Sequence, residues 1–117
     1  MKRLVVFILF LSFSLNSFAQ KIPKHVVKRA HSASEHISNV LNFDETQQNH
    51  LHKILIKKYD SNRKSIHGKN LSQDQKREIY RASFIETKKD LSEKFSPNEV
   101  NMINKHHREW QKKNNKK

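Results

Sequence analysis

From Lys24 onward the apolar residues recur every three or four positions, the spacing of one helical face, and no strand-like alternation persists. Over 24–41 the series is Val26, Val27, Ala30, Ala33, Ile37, Val40 and Leu41, which predicts an amphipathic helix stopped by Asn42-Phe43-Asp44. A second helix is expected from about Glu45 to near Ser65, with a narrow stripe of Leu51, Ile54, Leu55, Tyr59 and Ile66. His67-Gly68-Lys69-Asn70 supplies its stop, because glycine and asparagine accept the left-handed geometry that ends helices. A third helix from Ser72 to about Lys94 carries two overlapping stripes made by Ile79, Tyr80, Phe84, Ile85, Leu91 and Phe95. The fourth starts at Pro97, with Val100, Met102, Ile103, one of His106 and His107, and Trp110 on its apolar side. The pattern therefore predicts an all-α fold of four amphipathic helices.

Helix starts carry a repeated signal. "FDETQ" (43–47), "LSQDQ" (71–75) and "FSPNE" (95–99) each place an apolar residue before Asp44, Ser72 or Ser96, with Gln47, Gln75 or Glu99 three positions after it. The cap side chain can accept the N–H of the third residue on, while that residue's side chain reaches back to the cap's own N–H. Pro97 suits the first helical position, and Phe95 and Val100 stand where a hydrophobic staple sits. Each cap contributes about 0.5–2 kcal/mol. In a chain with little apolar surface, such local terms fix where helices begin. Three copies at the heads of three helical stretches indicate a helix–turn–helix unit used more than once.

Composition changes the picture at the start of the chain. Met1-Lys2-Arg3 is basic, Leu4 to Leu15 is apolar but for two serines, and Asn16-Ser17-Phe18-Ala19 ends in small residues. Residues 1–19 thus read as a secretory signal cleaved after Ala19, too short for a comfortable membrane span. The expected organisation is a signal over 1–19, a helical domain over 20–113 and a basic disordered tail over 114–117. Cysteine is absent, which excludes disulfide staples, thiol nucleophiles and anchoring through a terminal cysteine. With the signal gone, Lys2 and Arg3 are lost, and 22 Lys+Arg face 11 Asp+Glu. That balance calls for acidic partners, and export argues against nucleic acid. The small apolar share makes a thin monomer marginal, so a homodimer sharing its apolar face is expected.

At this point the repeated caps acquire a relative. "LSQDQKRE", with the looser "FDETQ" and "FSPNE", resembles the LTxxQ motif of the Spy/CpxP family of exported helical proteins. The likeness runs from Leu41 to about Trp110; Ser72 replaces the usual Thr, Phe replaces Leu in the outer copies, and Glu99 replaces the last Gln. The resemblance implies a thin, antiparallel helical-hairpin cradle, a dimer with a basic concave face, in the bacterial periplasm. It also implies ATP-independent binding of unfolded or stressed envelope proteins. Other members similar to CpxP dock on the periplasmic domain of an envelope-stress sensor kinase, and related zinc-resistance proteins bind metal.

No nucleophile motif, phosphate-cradling glycine loop or paired carboxylate set occurs, so an enzyme is not expected. Expected instead is mixed, weak binding, in which cations attract an acidic client and scattered apolar residues hold it. The candidate face is Leu51, Lys53, Ile54, Lys57, Lys58 and Arg63, with Arg77, Arg81, Lys88 and Lys89. For Leu51, Ile54 and Leu55 a core position is the favoured alternative. Tyr59, Tyr80, Phe84 and Trp110 could touch clients or pack, and packing is favoured. Among eight histidines, His50, His52, His106 and His107 are candidate zinc or copper ligands. Their spacing does not give two histidines on one helix face, so such a site would lie between helices or protomers. Met102 and His106 have the spacing of a soft-metal pair. A basic helical face is also a candidate for weak contact with anionic membranes.

Overall fold

The structure, a computed structural model, describes residues 22–114, which form four helices: α1 (Lys24–Leu41), α2 (Glu45–Ile66), α3 (Gln73–Lys94) and α4 (Pro97–Asn114). No strand occurs among the described residues. The expected signal at 1–19 and the last three residues of the expected tail lie outside them.

Each of the three repeated signals forms a closed capping box. At α2, Asp44 accepts the Gln47 N–H at 2.8 Å and Gln47 Oε1 accepts the Asp44 N–H at 3.1 Å. At α3 the Ser72–Gln75 pair repeats this at 3.1 and 2.8 Å, and at α4 the Ser96–Glu99 pair at 3.2 and 2.9 Å. The helix ends are equally local. Asn42 takes the left-handed conformation (φ 56°) and Phe43 N–H reaches back to the Ser38 carbonyl at 2.9 Å, which closes α1. Gly68 (φ 73°) turns the chain after α2, whereas Asn70 has no left-handed backbone. The sequence reading assigned this property only to 67–70; Asn42, at the expected stop of α1, has it as well.

α1 packs against α2 and α4, and α3 folds back on α2 with only light contact to α4. The core gathers Ala30, Ala33 and Ile37 of α1, Leu51 and Leu55 of α2, Leu91 and Phe95 at the end of α3, and Val100, Ile103 and Trp110 of α4. Small buried residues at 30, 33, 34 and 38 let α1 lie close to its neighbours. The staple is present in outline, since Phe95 and Val100 are both buried and Phe95 stacks on Phe43 at 5.2 Å.

One expectation needs correcting. The early part of the α3 stripe does not pack: Tyr80, Phe84 and Ile85 are 53%, 41% and 62% exposed. Only Thr87 and Leu91 of that helix are buried, and α4, which could cover the rest, has only light contact with α3. α4 continues through Asn114, whose side-chain amide donates to the Trp110 carbonyl at 2.8 Å.

Candidate functional site

An open groove of about 720 Å³ is lined by residues of α1, α2, α3 and α4. α2 supplies its floor through Lys58, Tyr59, Asn62, Arg63 and Ile66, which recur on one helical side. α1 contributes His25, Val26 and Arg29 from its first turns, α3 contributes Tyr80 and Phe84, and α4 contributes Gln111. The exposed aromatic part of α3 is thus one wall of the groove.

A polar cluster stands behind the floor. The Arg29 guanidinium lies 5.6 Å from the Tyr59 ring centroid and 5.3 Å from that of Trp110, both within cation–π range. Tyr59 Oη and His107 Nε2 are hydrogen-bonded at 2.5 Å. Burial pushes the Tyr59 phenol up to about 12, against a smaller downward pull from Arg29. Burial lowers His107 to about 3, with help from the charges of Lys58 and Arg29. Tyr59 therefore keeps its proton and His107 stays neutral at pH 7.

The electrostatics of the groove are unbalanced. Asp60 is buried beside Arg63 and Lys64, each at 3.0 Å. Burial alone would raise its carboxyl, but the two cations outweigh that and lower it. Lys58 has no carboxylate in ion-pair range among the described residues, and burial lowers its ammonium below the usual lysine value. Two polar atoms of the lining are buried without a protein partner: the Asn62 Oδ1 acceptor and the Arg63 Nε donor. Cations, aromatic rings and unspent hydrogen-bonding groups thus line one depression.

The residues expected on one basic face are divided. Leu51 is fully buried in the core and touches no solvent, so it leaves the candidate face; Leu55, its expected companion, is 1% exposed. Lys53, Ile54 and Lys57, with His50, line a smaller hollow of about 250 Å³ against Asp90, Glu93 and Lys94 of α3. There Lys57 is committed to Glu86 at 3.3 Å and Asp90 at 3.0 Å; its hydrogen bond to Asp90 raises its pKa over a smaller desolvation. Lys58 and Arg63 belong to the large groove. One residue of helix rotates the side chain by roughly 100°, which carries Lys58 away from Lys57. Arg77, Arg81, Lys88 and Lys89 are exposed along α3. Arg77 and Arg81 stand only loosely beside Asp74 and Glu78 of their own helix, at 3.8 and 3.9 Å.

Sequence reasoning left out Arg29, Asn62, Ile66 and His25 as site residues. Arg29 had a readable signal: a cation set beside Ala30 within the Val26–Ala33 apolar series. Asn62 had none.

The candidate metal ligands are dispersed. His50 faces α3, whereas the His52 ring meets His31 of α1 edge-on at 5.3 Å. His106 Nδ1 pairs with Glu109 at 3.2 Å, and His107 is taken by Tyr59. Met102 is half-buried. Among the described residues no group of three or more His, Cys, Asp or Glu side chains is arranged to hold a metal. No described helix is long and apolar enough to cross a membrane. Comparisons with family models, curated proteins and solved structures gave no match to this chain.

Proposed function

We propose that this chain is an exported binding protein of the Spy/CpxP type. In this reading it works without ATP or a catalytic residue, holding partly unfolded envelope proteins in the periplasm. The observation that carries the proposal is the groove, in which Arg29, Lys58 and Arg63 stand beside Tyr59, Ile66, Tyr80 and Phe84. Cations act at long range and speed encounter with an acidic client. Partly exposed rings then contribute limited apolar contact without a deep, shape-specific pocket. A client held this way remains mobile. The three closed capping boxes support the family assignment, since they lie where the motif copies fall.

The test uses the chain processed after Ala19 and an aggregating client followed by light scattering, without nucleotide, at low and moderate salt. Suppression near an equal molar ratio, weakening with salt, is the expected result. Aggregation unchanged at both salts would contradict it.

A further inference from the structure

We propose that the large groove is also a small-molecule site for a single-chain amphiphile with an anionic head, of the fatty-carboxylate kind. This reading stands on the groove itself and is independent of polypeptide binding. Its volume, about 720 Å³, falls within the range of about 300–1,000 Å³ common for small-ligand sites. The lining is divided chemically. Ile66, Tyr80 and Phe84 offer an apolar and aromatic wall, while Arg29, Lys58 and Arg63 bring three cations.

The cationic part of the lining has specific donors to spare. Arg63 engages Asp60 through Nη2 at 3.0 Å, yet its Nε–H is buried with no acceptor in the protein. Lys58 is partly desolvated with no carboxylate in ion-pair range among the described residues. Asp60, the acid nearest these groups in sequence, is already matched by Arg63 and Lys64. Arg29 is oriented by the Tyr59 and Trp110 rings. A carboxylate entering here would accept hydrogen bonds from charged donors, which are stronger than neutral ones. It would also offset the cost of burying the lysine's charge. An uncharged alcohol of equal chain length gains the wall contacts but not these bonds, so the groove should discriminate by head group.

Trp110 is the single tryptophan of the chain, and its ring lies beneath Arg29, so its emission reports events at the groove. The experiment titrates the purified protein with dodecanoate below its micelle concentration, and in parallel with dodecanol. Expected are a saturable change at one ligand per chain, binding of dodecanol weaker by about tenfold or more, and a similar loss in Lys58→Gln. Phe84→Ser, at an exposed position, should weaken both ligands while circular dichroism stays that of the parent. Equal binding of the two ligands, or no loss in Lys58→Gln with the helical signal intact, would overturn the proposal. So would a response that appears only as micelles form. Should Lys58→Gln fail to fold, the comparison of dodecanoate with dodecanol on the parent protein decides alone.

Discussion

Gln47 donates its side-chain amide to Glu99, Nε2 to Oε2 at 3.3 Å, and so joins the capping boxes of α2 and α4. Gln47 Oε1 accepts the N–H of its own cap, Asp44, and the second carboxylate oxygen of Glu99 accepts that of Ser96. Two helix N-termini, both positive ends of helix dipoles, are thereby held together around one carboxylate. This accounts for the glutamate in the third copy of the motif. A glutamine there would offer one acceptor and one amide, and the amide would meet Gln47's own donor.

Removing the link has a measurable cost. Glu99→Ala should lower stability by about 1–2 kcal/mol in urea unfolding, from the lost cap and the lost contact. Glu99→Gln, which keeps an acceptor for Ser96, should cost less. A double-mutant cycle with Gln47→Ala should show coupling of about 0.5 kcal/mol or more; strict additivity would mean the two boxes act separately.

The Tyr59–His107 pair sets the pH dependence. His107 is held neutral in the fold, at about 3 against an ordinary 6.5, so the unfolded chain takes up a proton first as pH falls. Its contribution is complete above about pH 6.5 and is lost progressively down to about 3, at up to about 1.4 kcal/mol per pH unit. Tyr59, raised to about 12, has the opposite sense: its contribution is full below about pH 10 and fades as pH approaches 12. Urea midpoints measured from pH 7 to 4 should fall steadily. His107→Gln should flatten that slope, and an unchanged slope would place the loss elsewhere.

Leu55→Ala and Phe84→Ser should separate core from surface. Leu55 is 1% exposed and Phe84 41%, so the first should cost about 2–5 kcal/mol and the second almost nothing. Thermal unfolding of both variants checks this. A large loss in Phe84→Ser would mean that its ring is buried in solution, against a second copy of the chain.

Lys57 should act on α3 rather than on clients. Its bonds to Glu86 and Asp90 cross from α2 to α3, but the pairs are solvent-exposed, so Lys57→Ala should cost no more than about 1 kcal/mol, and less at high salt. Lys58→Glu should slow capture of an acidic client more than Lys53→Glu, because only Lys58 lines the large groove. Stopped-flow capture rates of the two variants compare them directly.

What the sequence revealed was local. Helix starts at Asp44, Ser72 and Ser96 depend on side chains three residues apart, so reading them required no tertiary knowledge. The stripe through Val100, Ile103 and Trp110 was legible for the same reason, because one helix repeats its own face, whereas the choice between His106 and His107 was left open and Met102 was counted with the stripe. The site was not. Periodicity ranks Tyr80, Phe84 and Leu91 alike, yet only Leu91 is buried, since burial depends on which part of α3 the other helices cover. Likewise Lys57 and Lys58 are neighbours in sequence, but one residue of helical rotation turns them into different hollows, the smaller against the end of α3 and the larger among all four helices.

The most direct test of groove binding places a photoreactive amino acid at 84, on the aromatic wall, or at 53, in the smaller hollow. Each protein is illuminated with an unfolding, acidic client. Capture through the groove predicts client adducts from position 84 in excess over those from 53, diminished by Lys58→Gln. Equal yields from the two positions, or more from 53, would contradict it.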